Sequence, residues 1–363
     1  MTSTGNTFAD LGLSDALVGA LSKQGIETPT NIQTASWSVL MEGKDAYLHA
    51  ETGTGKTLAY LLPIFSRLDL QLAGTQAIIV APTHELAIQI QRQCTDLGQL
   101  GNLPVRVTLL VGGTSRDRQI EKLKKKPHIV IGSPGRIREL IDDGKVKSHT
   151  VRTIVIDEAD RLLDGENIGD IQKIISSTKR DRQMVFVSAT EQHESIDLVQ
   201  SLAPNTVVIQ AATNPINADI EHFYMICEER DKPDLVRRLF HALDPVRVLV
   251  FVHRNETAEI VAGKLAHHKV PVADIHGAHD KTIRKQAMES FRSGKVRVLI
   301  SSDVAARGLD IKDVTHVINL DIPSESRAYL HRVGRTGRAG KKGVAVSLLT
   351  ERDLRIVARL KRD

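Results

Sequence analysis

The chain is poor in aromatic residues, in cysteine and in long apolar runs, and each shortage narrows what it can be. Phe, Trp and Tyr make up only 3% of the 363 residues. That is too few for a surface that captures nucleic acid by stacking base after base, so contacts to a nucleic-acid backbone become the expected mode. The two cysteines, Cys94 and Cys227, stand far apart with no Cys-x-x-Cys context. They are expected to be reduced thiols in a cytoplasmic protein rather than a disulfide framework or a thiolate metal site. No stretch approaches the roughly 18 apolar residues of a membrane span, so no membrane partner is expected. The opening MTSTGNTFADLGL lacks a basic segment followed by an apolar run, which argues against a secretory leader.

What is present describes an ordinary soluble chain, with 41% hydrophobic and 26% charged residues. Its length exceeds that of most single domains. The net charge of +5 is unevenly spread. Residues 1–210 hold 22 Lys and Arg against 24 Asp and Glu, whereas residues 211–363 hold 27 against 20. The last 33 residues alone carry 10 basic and 3 acidic groups. A basic second half suits a polyanionic partner. A smaller basic run, Lys122 to Pro127, has the solvated end of a helix as its default reading and phosphate contact as the alternative.

Short runs rich in Val and Ile alternate with segments of helical period. The first half has DAYLHA, QAIIVAP, VRVTLLVGG, HIVIGSP, RTIVIDE and QMVFVSA; the second has RVLVFVH, VPVADIHG, VRVLISSD, VTHVINLD and GVAVSLL. Near-continuous apolar strands separated by helices predict mostly parallel sheets covered on both faces. Two such sets predict two α/β domains in tandem, over residues 1–210 and 218–363. The polar, Pro-containing residues 211–217 are the expected linker, before the next strand begins.

Two motifs define a nucleotide site. In HAETGTGKT, between a buried strand and an amphipathic helix, Gly53 and Gly55 let backbone N–H groups face an anion at the positive end of the helix. Lys56 is placed to reach β- and γ-phosphates, and the Thr57 hydroxyl to ligate Mg²⁺. The strict glycine pattern fails at Ala50, where a methyl group is a small intrusion. Downstream, TIVIDEADRLL delivers Asp157 and Glu158 to the carboxyl end of a strand, the edge where open α/β sheets bind ligands. Asp157 would hold Mg²⁺, and Glu158 would orient or deprotonate the attacking water.

The tetrad Asp157-Glu158-Ala159-Asp160 and the loop AETGTGKT, among a dozen motifs in order between Phe8 and about Leu349, resemble the DEAD-box family of ATP-dependent RNA helicases in its bacterial, minimal two-domain form. The resemblance implies tandem RecA-like domains, with ATP and Mg²⁺ as cofactors and RNA as partner. GIETPTNIQ matches the Q motif, implying that Gln33 reads the adenine edge and that Phe8 stacks on the base. Thr52, Gly53, Thr54, Gly55, Lys56 and Thr57 form the phosphate loop, and Asp310 contacts the ribose. RNA contacts are implied for Pro82, Thr83, Gly113, Ser133, Pro134, Gly135 and Arg136 in the first domain, and for Gly277, Arg284 and Ser302 in the second. Asp160, Ser188, Thr190 and His331 are the implied interdomain relay. HRVGRTGR supplies Arg335 and Arg338 as arginine fingers, groups that complex phosphate bidentately and are worth on the order of 10³–10⁵ in rate in phosphoryl transfer.

Three positions depart from the family pattern: His84 stands for an arginine, Arg254 for a threonine and Lys281 for a glutamine. The expected activity is RNA-stimulated ATP hydrolysis coupled by domain closure to local duplex unwinding or RNA–protein remodelling, with largely sequence-independent backbone contacts. An ATP-gated RNA clamp with little unwinding is a second reading, and a DNA translocase a third that the Q motif and the DEAD tetrad argue against.

Overall fold

A strand whose every side chain is apolar can be stable only if both faces of its sheet are covered. AIIV at 77–80, IVIG at 129–132 and QMVFVS at 183–188 are buried at each position. In the computed structural model, which describes residues 7–50, 54–163, 165–188, 193–210, 219–276, 281–303, 313–337 and 341–362, these runs are interior strands of one parallel sheet. The chain divides into two compact units, Met1–Thr213 and Asn214–Asp363. The expected linker, residues 211–217, lies outside the described residues.

The first unit contains β1 (Ala46–His49), β2 (Ala77–Val80), β3 (Val107–Leu110), β4 (Ile129–Gly132), β5 (Thr153–Asp157), β6 (Gln183–Ser188) and β7 (Val207–Gln210). They are ordered β3-β4-β2-β5-β6-β1-β7, and each pairing is parallel. Successive strand residues point to opposite faces, and the cores divide accordingly. Ala46, Leu48, Ala77 and Ile79 enter one cluster with the helices Asn31–Met41, Lys56–Arg67 and His84–Leu100. Tyr47, Ile78 and Val80 enter the other, with the helices Pro134–Asp142 and Ile168–Ser176.

The second unit repeats the plan with β8 (Ile220–Ile226), β9 (Val248–Phe251), β10 (Val272–Asp274), β11 (Val298–Ser301), β12 (His316–Asn319) and β13 (Gly343–Leu349), ordered β10-β11-β9-β12-β13-β8. Val248 and Val250 pack with the helices Lys232–Leu243 and Asn255–His267 on one face. Leu249 and Phe251 pack with Met288 and Phe291 of the helix Lys281–Arg292 on the other. β8 is an edge strand paired to β13, and all but its first residue are exposed. Its alternative to a buried apolar run is the backbone ladder itself. The two units are therefore separate three-layer α/β domains of the kind expected from the alternating runs.

Candidate active site

Because all pairings in the first sheet are parallel, the strands end on one edge, and the motif residues gather there in two adjacent groups. Ala50 directly follows β1, and Ser188 and Asp157 end its neighbours β6 and β5. Pro82–Thr83, Ser133 and Gly112–Gly113 follow the neighbouring strands β2, β4 and β3. The sequence implies a nucleotide role for the first group and an RNA role for the second.

In the nucleotide half, Gly55 caps the helix Lys56–Arg67 in the left-handed region at φ 88°. A side chain there would be strained, and its Cβ would come within 2.4 Å of the Gln33 amide nitrogen. Gln33 is buried and bonded at both ends of its amide: its Nε2 donates to Gly55 O at 3.0 Å, and its Oε1 accepts from Thr30 N at 2.9 Å. This ties the Q segment to the phosphate loop and leaves one N–H and one lone pair of the amide for a ligand. Phe8 is only 1% exposed and packs in the core, so its ring face is not presented for stacking in this arrangement. The Lys56 ammonium donates back to Ala50 O, so the loop carbonyl holds it where a phosphate would compete. Thr52 and Gly53 lie outside the described residues.

Asp157 is 6% exposed. Its Oδ1 accepts from Glu158 N at 2.9 Å, and its Oδ2 from the Tyr60 hydroxyl at 2.8 Å. Burial pushes this carboxyl above its ordinary range; the Tyr60 hydrogen bond, the Lys56 ammonium and the Glu158 N–H pull it back, while Asp160 pushes it up. Tyr60 is held protonated by its own burial and then by the Asp157 charge. Tyr60 and Asp157 thus form one polar pair in an apolar surround. Sequence reasoning passed over Tyr60, yet a signal existed: a hydroxyl three residues after Thr57, in the otherwise apolar LAYLLPIF, needs a partner when buried.

Glu158 caps the short helix Ala159–Leu162 with a left-handed backbone, φ 54°. Such a conformation in a non-glycine residue costs of order 1–3 kcal/mol and persists where the surroundings impose it. Its carboxylate lies 3.8 Å from Arg161. Asp160 is buried in the same helical turn. Ser188 is buried, and its carbonyl accepts from Ala50 N at 3.2 Å, joining the SAT segment to the phosphate loop; Thr190 lies outside the described residues.

In the other half, Thr83 caps the helix His84–Leu100, accepting from Leu86 N at 3.2 Å. Ser133 is the N-cap residue of the helix Pro134–Asp142, with Pro134 in its first turn. Both helix starts therefore present backbone donors beside this edge. Gly113 is exposed with φ 68°. At Gly135 a Cβ would meet Asp170 Oδ2 at 3.2 Å. Arg136 pairs with Glu139 at 3.0 Å, and its Nη1 is buried without an acceptor among the described residues.

In the second unit, Ser302 follows β11 and His331 lies in the helix Ser326–Val333. Arg335 is half-buried, its Nε donating to His331 O at 3.2 Å. Arg284 is half-buried in the helix Lys281–Arg292. Gly277, Asp310 and Arg338 lie outside the described residues. The organising residue is one that sequence reasoning gave no separate role. Arg332, 1% exposed, donates to Asp303 at 2.5 and 2.7 Å, to Asn319 Oδ1 at 3.2 Å and to Asp321 O at 2.5 Å. It also donates to His253 Nε2 at 2.9 Å and lies 5.0 Å from the Phe251 ring centroid. Three strand ends, those of β9, β11 and β12, meet on one guanidinium. Nothing in HRVGRTGR separates Arg332 from Arg335; burial alone does.

Tandem three-layer α/β units, one with a phosphate loop beside an Asp-Glu strand end, define the helicase class of nucleoside-triphosphate-driven proteins. A family model described as DEAD/DEAH box helicase matches residues 30–199, and one described as helicase conserved C-terminal domain matches residues 231–340. The DEAD-box ATP-dependent RNA helicase CshC of Bacillus cereus is 40% identical, over 93% of this chain and 86% of its own. The probable ATP-dependent RNA helicase YfmL of Bacillus subtilis is 41% identical, over 90% and 86% respectively. Among solved structures, S. cerevisiae Dbp5 bound to RNA and ADP BeF3 superposes with a TM-score of 0.87 at 29% identity, covering 98% of this chain and 93% of that one. The chain belongs to the DEAD-box helicase family.

Two substitutions test the buried polar groups. Tyr60→Phe keeps the packing but removes a donor from a buried carboxylate, and should lower stability by about 1.5–3 kcal/mol in urea unfolding near pH 7. Asp157 already has a raised folded-state pKa, and the variant raises it further. The loss is therefore full above that pKa and should shrink as pH falls and the carboxyl takes up a proton. Arg332→Ala should destabilise the second unit by about 3–5 kcal/mol, seen as an earlier unfolding transition with that of the first unit unmoved.

Proposed function

We infer that the chain is an ATP-dependent RNA helicase that couples RNA-stimulated hydrolysis of ATP to ADP and phosphate with local separation of RNA duplexes or remodelling of RNA–protein contacts. The observation that carries this reading is the single sheet edge on which the strand ends of β1, β6 and β5 adjoin those of β2, β4 and β3. A nucleotide held by the first group can change the purchase of the second on RNA without a long relay. The RNA-bound state of Dbp5 and the names of the bacterial relatives support RNA as the polymer and ATP as the fuel.

In this reading Lys56 leaves Ala50 O for the β- and γ-phosphates. Among the described residues no group of three or more His, Cys, Asp or Glu could hold a metal. The hard oxygens of Thr57 and Asp157 instead suit Mg²⁺ shared with phosphates, and that ion would neutralise phosphate charge. Glu158 orients the attacking water and accepts its proton. Arg335 and Arg338 supply charge to the γ-phosphate when the units close, with Asp310 on the ribose and Asp160, Ser188, Thr190 and His331 relaying closure. Backbone amides and Arg136 bind phosphates without reading bases, so RNA affinity should fall steeply with salt. The cytoplasm is the proposed location.

Glu158→Gln should retain ATP binding while RNA-stimulated turnover drops by about 10²–10⁴. Arg335→Ala should lose on the order of 10³ or more in the same rate with ATP affinity nearly unchanged. Phosphate release measured with and without RNA checks both, and normal turnover in either variant removes that residue from the mechanism. Strand displacement of a short RNA duplex decides between unwinding and an ATP-gated clamp.

A further inference from the structure

The opposite edge of the first sheet, where the strands begin, carries a charge that the helicase reaction does not use. Four backbone hydrogen bonds run straight across it, each 2.8 Å long: His128 N to Arg106 O, Gln76 N to His128 O, Arg152 N to Gln76 O and Gln183 N to Arg152 O. The row crosses β3, β4, β2, β5 and β6 in order, about 19 Å at roughly 4.8 Å per strand. Three side-chain bonds join the loops that lead into it. Thr75 Oγ1 donates to Pro127 O at 3.2 Å, Thr150 Oγ1 to Thr75 O at 2.8 Å and Ser148 Oγ to Ser177 O at 2.6 Å. The loops are thereby one continuous surface rather than independent tips.

That surface is basic. Lys125 and Lys126 precede the His128 position, Lys147 precedes Arg152, and Lys179 and Arg180 precede Gln183; these five and Arg152 are all exposed. Among the described residues none of these six forms an ion pair, whereas the neighbouring Lys124 is taken by Glu121 at 2.6 Å. The acidic groups of this edge are few. Asp181 is exposed, Asp69 accepts from Gln71 N, and Asp45 accepts from Met184 N. The positive field is felt nearby: the Arg67 guanidinium is shifted down by burial and then by Arg152, and the His128 imidazole by burial and then by Arg106. The first half of the chain is slightly acidic in sum, so this concentration is a polarisation of the unit and not an overall excess.

We propose that this edge is a second binding surface for the phosphate backbone of RNA, holding a segment distinct from the one addressed by the motif edge. The partner class follows from what the surface lacks. None of the exposed large apolar side chains lies in its loops, which leaves nothing to insert into a lipid surface or to seat as a protein hot spot. A line of unpaired Lys and Arg with backbone-bonded footing suits regularly spaced phosphates and carries no base readout. The two edges are separated by the length of strands of four to six residues, about 13–20 Å at ~3.3 Å per residue. A long RNA can wrap to hold both at once and gain effective concentration, while a short one can hold only one.

The test uses the full chain carrying Lys125→Gln, Lys126→Gln, Lys179→Gln and Arg180→Gln together, with circular dichroism melting to verify the fold. For a single strand of about 40 nucleotides, affinity should fall about tenfold, and the slope of log affinity against log salt should fall by roughly 3, at ~0.7 for each lost phosphate contact. Affinity for a strand of about 10 nucleotides, and the ATPase rate that strand stimulates, should stay within twofold. Unchanged long-strand affinity and salt slope in the folded variant overturn the proposal. An equal loss for both strands overturns the claim of a distinct segment. Lost binding to phosphatidylserine vesicles with RNA affinity intact assigns the surface to a membrane instead. Because stimulation by the short strand is read separately, failure here leaves the helicase reading standing, and failure of that stimulation in the unmodified chain counts against the helicase reading alone.

Discussion

Parallel strands can lie side by side only if each connection crosses back over the sheet, so every strand starts on one edge and finishes on the other. In the first unit this constraint is met by all the pairings, and it sorts the chain's chemistry without regard to distance in sequence. Ala50, Asp157 and Ser188, more than a hundred residues apart at the extremes, become neighbours because they end or directly follow β1, β5 and β6. The same rule sends Arg106, Arg152 and the loops rich in lysine to the far edge. An edge that gathers the motif residues and a basic edge are two consequences of one topology.

The sheet interior imposes the second constraint: charge that enters it must be met. Asp157 sits at the limit of the buried region and is held by a tyrosine, a backbone N–H and a nearby ammonium. Arg332 is the counterpart in the second unit, where one guanidinium gathers Asp303, Asn319, Asp321 and His253 from three strand ends. A buried ion pair of this kind is weak support for stability in itself, but removing one member leaves the other stranded. Such groups fix the geometry of the strand ends, and the exposed motif residues inherit it. The left-handed Glu158 backbone is a further part of that setting, joining the end of β5 directly to the helical turn Ala159–Leu162.

Much of this was legible beforehand. The apolar runs became strands because their composition allows no exposed face, and the helix after GTGKT starts where Gly55 permits a left-handed turn. The DEAD and HRVGRTGR motifs carried the family. β8 was harder to read, being an exposed edge strand with no buried run to announce it. Phe8 was expected at a base and lies in the core, because position upstream of a Q motif does not say which way a ring faces. Gln33 is also bonded to Thr30 and Gly55, a commitment invisible without the fold, which leaves one N–H and one lone pair for the adenine edge it was expected to address.

By itself the sequence determined the element types, the two-domain plan and the family, because period, turn residues and motif spacing are local properties. The tertiary structure decided partnership. It made Tyr60 a donor to Asp157, turned Arg332 inward while leaving Arg335 part-exposed, and aligned Lys125, Arg152 and Lys179 along one edge. The reason is that burial and strand order are set by packing over the whole sheet, and two identical residues in one motif meet different fates according to the face on which they fall.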